Sequence, residues 1–185
     1  MLTPIFILSL FSDYEQSNLI ALIVFLVACI TDTYDGYYAR KYNQVTPEGK
    51  FLDPLADKVL VSSAFISFAM LDIIEFWMVG LIIFRDLFVT GLRMVIEKKG
   101  FSMVTSLIAK TKTTVQYIVI IFTLIILGLK GLNIPLAKLV VETVDQYHLI
   151  YNLTLFIALF TVLTGITYLY DNRQTIEQFI SRDGF

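Results

Sequence analysis

The chain has 185 residues, 57% of them hydrophobic, with a mean hydropathy of +0.75 and a formal net charge of -2. An ordinary soluble domain is apolar at roughly 45 to 50% of its positions, so a water-solvated core does not absorb this much apolar surface. The weak negative charge offers no field for nucleic acid, and the single cysteine, Cys29, excludes a disulfide framework within the chain.

A helix that crosses about 30 Å of hydrocarbon needs roughly 20 apolar residues. The opening run, Met1 to Phe11, is too short for this and lacks the basic start and small-residue cleavage site of a secretion signal. It is expected to be the end of a first membrane helix, in a chain that begins late. Leu19 to Tyr38 is the first full-length candidate, with Cys29 inside it as a packing residue. Phe51 to Leu71, Ile73 to Ile96, Thr113 to Leu129 and Leu149 to Tyr170 follow. With the opening run these make six crossings. The expectation is therefore an all-α integral membrane protein, a single transmembrane domain over residues 1–185, with both termini on one side.

Loops kept in the cytoplasm are enriched in Lys and Arg. Of the 14 such residues, all but Lys130 and Lys138 fall on one side or in the helix halves facing it, which makes that side cytoplasmic. The opposite turns carry Asp13, Glu15, Asp72 and Glu75, as this topology requires. His148 falls at the far end, where it reads as a surface residue.

Between the first two full-length runs stands TDTYDGYYARKYNQVTPEGKFLDPLADK, Thr31 to Lys58. Asp32 and Asp35 are three apart and Asp53 and Asp57 four apart, so each pair shares one face of a helix. If the two helices pack side by side, both pairs converge. Four carboxylates near a membrane face repel one another and are costly to keep ionised at low dielectric. Two hard divalent cations would cancel the charge, and Mg²⁺ or Mn²⁺ suits an all-oxygen donor set, whereas zinc lacks a Cys or His cluster here. Gly36 and Gly49 allow close approach of a backbone or a phosphate. Arg40 supplies a planar fork suited to phosphate. The plainer reading, solvated acids paired with Arg40, Lys41, Lys50 and Lys58, accounts for one such acid better than for four at ordered spacing.

These residues resemble the signature of the CDP-alcohol phosphotransferases: DTYDGYYAR, eight further residues, then GKFLDPLAD, with Asp32, Asp35, Gly36, Ala39, Arg40, Gly49, Asp53 and Asp57 at the fixed positions. The resemblance implies a six-helix membrane fold and transfer of the phosphatidyl group of CDP-diacylglycerol to an alcohol with loss of CMP. It implies two divalent cations, Mg²⁺ or Mn²⁺, on Asp32, Asp35, Asp53 and Asp57, with Asp57 also accepting the hydroxyl proton. Gly36, Ala39, Arg40, Thr46 and Gly49 would contact the CDP-lipid, Arg40 assisting at its phosphates. It further implies a homodimer among membrane lipids; a compact chain of this kind fits a bacterial cytoplasmic membrane with the site facing the cytoplasm. The family usually carries an amphipathic segment with an Asn and an Arg ahead of its first span, and the expectation is that this segment is missing ahead of Met1.

Farther along, RDLFVTGLR (Arg85 to Arg93) and KTKTT (Lys110 to Thr114) resemble the subgroup whose acceptor is glycerol 3-phosphate. The residues themselves support a second anion site: Arg85 interrupts an apolar run, and Arg93, Lys110 and Lys112 lie toward the same face. Arg85, Arg93, Lys110 and Lys112 are thus the candidate acceptor-phosphate ligands, with Asp86 available to offset Arg85. Asp86 stands where the subgroup has Glu, and Ala109 where Gly precedes the first lysine. Another acceptor, inositol phosphate or serine, remains an alternative, as does a membrane transporter with intramembrane carboxylates; a transporter favours broken helices and sites near the midplane.

Overall fold

A computed structural model describes residues 2–14, 16–42, 47–103 and 107–183, and of residues 33, 35–37, 39, 40, 47–57, 107–110, 182 and 183 the backbone course alone. Among the described residues every regular element is an α-helix. They are α1 (Thr3–Leu10), α2 (Ser17–Lys41), α3 (Pro47–Met70), α4 (Phe76–Lys98), α5 (Leu107–Lys130), α6 (Pro135–Gln146), α7 (Leu149–Asp171) and α8 (Arg173–Asp183).

Local chemistry sets the turns. Proline opens α3 and α6, where its missing N–H leaves no helical bond unmade. After α3 the chain reverses through Asp72, which takes the left-handed conformation (φ 55°) while the Ile73 N–H donates to the Phe68 carbonyl at 3.0 Å. This is a helix end of the Schellman type, and Asp tolerates the left-handed region better than most residues. His148 (φ 48°) makes the corresponding reversal between α6 and α7. It is an exposed turn residue, as expected.

The short connections make successive long helices antiparallel. α5 packs against α2, α3, α6 and α7; α4 lies between α3 and α7; α1 sits on α2 and α3. Phe6, Phe25, Phe65, Phe68, Met78, Ile82, Ile120, Leu124 and Ile157 fill the core. Phe25 has the Phe6 ring at 5.5 Å on one side and Tyr117 at 6.2 Å on another. Cys29 packs against this core as a partly buried side chain. Where α5 crosses α2, a Cβ on Gly128 would come within 2.7 Å of Leu19 Cδ2, so only glycine allows this approach without a rearrangement of Leu19.

The outer faces are apolar too. Ile20, Ile23, Val27 and Ile30 on α2, Phe84, Leu87 and Phe88 on α4, and Phe156, Leu159, Leu163 and Ile166 on α7 are all exposed. Continuous apolar surface of this extent is a liability in water and a match for acyl chains. Residues 111–130 and 149–171 are long and apolar enough to cross a membrane. Among the described residues α2 and α3 contribute shorter apolar stretches, 17–32 and 58–70. In α4 the apolar run is broken by Arg85, Asp86 and Arg93. Of the five full-length runs expected, α5 and α7 meet the length and apolarity of a span within the described residues alone.

Two helices were not expected. α6 shows a short helical period, with Ala137 and Val144 buried and Val141 partly so, and exposes Leu136, Leu139 and Lys138. α8 lays Ile176 and Phe179 on Val89, Ile96, Met103 and Tyr168, closing the end of the bundle at which α4 finishes and α5 begins.

Candidate active site

The last third of α2 carries Asp32, Asp35, Gly36, Ala39 and Arg40; α3 begins at Pro47 and carries Gly49, Asp53 and Asp57 in its first turns. The four acids thus lie on the C-terminal part of α2 and the N-terminal part of α3, the two helix ends that adjoin in the chain. Asp32 is exposed. The side chains of Asp35, Gly36, Ala39, Arg40, Gly49, Asp53, Asp57 and Lys110, and the whole of Thr46, lie outside the described residues. Among the described residues no three His, Cys, Asp or Glu side chains gather. Aspartates offer oxygen donors only, which suit a hard divalent cation and not a thiophilic one.

The same part of α2 presents an exposed aromatic stripe. Tyr34 stacks on Tyr38 with ring centroids 5.4 Å apart, and Tyr38 on Tyr42 at 5.7 Å. Tyrosines favour the membrane–water interface, where an apolar ring and a polar hydroxyl are both accommodated. The stripe marks the depth of the acidic helix ends as interfacial.

Deeper in the bundle, side chains from three helices converge on Asp86 of α4, which is 3% exposed. Its Oδ1 accepts from Lys112 Nζ of α5 and from Arg85 Nη1 at 3.4 Å; its Oδ2 accepts from Gln116 Nε2 of α5 at 3.2 Å and faces Lys58 Nζ of α3 at 3.6 Å. Lys112, 1% exposed, is among the most deeply buried large side chains of the protein. Removing one partner of such a buried pair costs on the order of 3 to 5 kcal/mol, because the other charge stays desolvated.

Arg85 spans from this cluster to α7, where its Nη2 donates to Thr164 Oγ1 at 3.4 Å and its stem crosses Gly165. Arg85 Nε and Gln116 Oε1 are buried without a hydrogen-bond partner among the described residues. Buried polar atoms are nearly always satisfied, so two orphans in one cluster mark a place where a further polar group belongs.

Of the four cations expected at the acceptor site, the structure thus brings Arg85 and Lys112 together, with Asp86 offsetting both. Arg93 lies two turns along α4 and donates to Glu97 Oε1 at 2.7 Å in an exposed i,i+4 pair. Lys58, Gln116 and Thr164 complete the cluster; the sequence named Lys58 only as a counterion for the acids of α2 and α3, and Gln116 and Thr164 not at all. The available signal was Lys112 and Gln116 at i,i+4, two polar side chains on one face of an otherwise apolar helix.

The sequence model of the CDP-alcohol phosphatidyltransferases matches residues 1–164. The chain belongs to the CDP-alcohol phosphatidyltransferase family. This membrane-associated family accounts for the apolar outer faces and for the acidic helix ends together. Among the chain's relatives is the CDP-diacylglycerol--glycerol-3-phosphate 3-phosphatidyltransferase of Bacillus subtilis, 48% identical over 104 residues, which are 56% of this chain and 54% of the relative. The protein of the same name from Rickettsia bellii is 37% identical over 166 residues, 89% of this chain and 85% of the relative. The chain thus spans about half of the first relative and most of the second.

Proposed function

We propose that the chain transfers the phosphatidyl group of CDP-diacylglycerol to glycerol 3-phosphate, giving phosphatidylglycerophosphate and CMP, as a six-span enzyme of a bacterial cytoplasmic membrane with its site on the cytoplasmic face. The observation that carries the choice of a phosphorylated acceptor is the pairing of Arg85 and Lys112 about Asp86. A neutral acceptor gives no reason to hold an arginine and a lysine so deep, whereas a phosphomonoester presents the oxygens that an unpartnered Arg85 N–H lacks. The names of the relatives support the same acceptor.

In this reading Asp32, Asp35, Asp53 and Asp57 hold two divalent cations, Mg²⁺ or Mn²⁺. Bound there, such ions supply charge neutralisation at the CDP diphosphate. The acceptor hydroxyl oxygen forms a bond to the phosphorus that bears diacylglycerol as the bond from that phosphorus to the CMP oxygen breaks, CMP leaving with the electron pair. Asp57 takes the hydroxyl proton. Gly36, Ala39, Thr46 and Gly49 admit the nucleotide and diphosphate close to the backbone, and Arg40 holds the phosphates. Arg93 and Lys110, nearer the face, attract the anionic acceptor, and Arg85 and Lys112 fix its phosphate. A single displacement of this kind inverts configuration at phosphorus. The homodimer implied by the family resemblance belongs to the same proposal.

The test is CMP release by the purified protein from CDP-diacylglycerol, with Mg²⁺ or Mn²⁺ and in turn glycerol 3-phosphate, inositol phosphate and serine. Release with glycerol 3-phosphate alone is expected. Release with another alcohol alone overturns the acceptor, and no release with any overturns the reaction.

A further inference from the structure

We infer that Asp86 is a positioning residue, which ties the α3 turn carrying Asp57 to α4 and α5 through Lys58 while it sets Arg85 and Lys112 side by side. The catalytic part of this inference rests on the transfer reaction proposed above.

A carboxylate offers about four lone-pair directions. Asp86 has four polar partners, two to each oxygen, drawn from three helices: Lys58 of α3 as an ion pair at 3.6 Å, its own neighbour Arg85 on α4, and Lys112 and Gln116 from α5. A counterion for Arg85 alone would need only the adjacent contact. Three of the four ties instead cross between helices, so the carboxylate acts as a joint for α3, α4 and α5. Its burial makes that joint stiff, since neither water nor salt screens it.

Lys58 directly follows Asp57 in the chain. Successive helical residues are separated by about 100° around the axis, so a rotation of α3 that frees Lys58 carries position 57 with it. Misplacement of a reacting group by about 1 Å costs on the order of 100-fold in rate. Asp86 therefore governs how Asp57 is presented without touching a substrate. The same carboxylate aligns Arg85, whose Nε has no partner among the described residues, with Lys112.

Asp86→Asn keeps the shape and removes the charge. Two measurements on the full-length protein test the inference. In hydrogen exchange, Asp86→Asn is expected to accelerate the α3 amides around Lys58 by about 10-fold or more and to leave α6 unchanged. In CMP release, kcat per bound CDP-diacylglycerol is expected to fall about 10- to 100-fold with KM for the CDP-lipid within about 3-fold. Asp86→Glu should recover most of the rate, and a Lys58→Met, Asp86→Asn double variant should be no slower than Asp86→Asn.

Should Asp86→Asn fail to fold, Lys58→Met alone must produce the same exchange change and the same kcat loss. Unchanged exchange in α3 overturns the inference whichever alcohol reacts. An unaltered kcat, additive losses in the double variant, or a Glu variant as slow as the Asn variant overturns it as well. An inactive wild-type protein instead overturns the transfer reaction, and the exchange measurement still decides whether Asp86 fixes α3.

Discussion

Gly165 of α7 lies directly against the side chain of Arg85 of α4: a Cβ at position 165 would stand 3.0 Å from Arg85 Cγ and 3.1 Å from Nε. The glycine is thus the wall along which the arginine runs from the Thr164 hydroxyl to Asp86.

A methyl group at 165 must displace that side chain by a few tenths of an ångström. Gly165→Ala is expected to raise KM for glycerol 3-phosphate by roughly 3- to 10-fold while KM for CDP-diacylglycerol stays within about 2-fold. Steady-state kinetics with each substrate varied in turn checks this. An unchanged acceptor KM removes Arg85 from the acceptor site.

Gly128 makes a different approach, because its neighbour is the tip of a flexible side chain. Gly128→Ala therefore costs little, whereas Gly128→Leu wedges α5 from α2 and should destabilise by about 1 to 3 kcal/mol. Thermal unfolding in detergent should show a lowered Tm for Gly128→Leu, partly restored when Leu19→Ala is added. Additive losses would mean that the two residues do not share this contact.

Much of this architecture was legible as apolar periodicity bounded by charge. The reading Leu149 to Tyr170 falls within one residue of α7 (Leu149–Asp171), and Phe51 to Leu71 within a turn of α3. The start of α5 was placed at Thr113, because Lys112 looked like the charged edge of a span; the helix begins at Leu107 and buries that lysine. Its partner, Asp86, is 26 positions earlier in the chain, and pairing over that separation leaves no periodic trace. α6 escaped notice for a related reason: it is short, and Lys138, Glu142 and Asp145 dilute its apolar stripe, although Pro135 signals its start. The acidic spacing on α2 and α3 was readable because i,i+3 and i,i+4 patterns are local. The Asp86 cluster was readable only in part, as Arg85, Lys112 and their counterion Asp86; its assembly from three helices hid the places of Lys58, Gln116 and Thr164.

The proposed role of the four carboxylates on α2 and α3 makes metal dependence a prediction. Removal of divalent ions with EDTA should abolish CMP release, and Mg²⁺ or Mn²⁺ should restore it. Asp32→Ala should raise the metal concentration for half-maximal activity by about 10-fold or more, with residual turnover at saturating metal. Activity that survives EDTA would contradict the proposed role of these acids.

The most direct test of the account concerns Asp57. Wild-type protein and Asp57→Asn are given CDP-diacylglycerol, glycerol 3-phosphate and Mg²⁺, and CMP release is measured beside CDP-lipid binding. The account predicts that Asp57→Asn binds CDP-diacylglycerol with affinity within about 10-fold of wild type but loses turnover by on the order of 1,000-fold or more. Turnover by Asp57→Asn near the wild-type rate would contradict it.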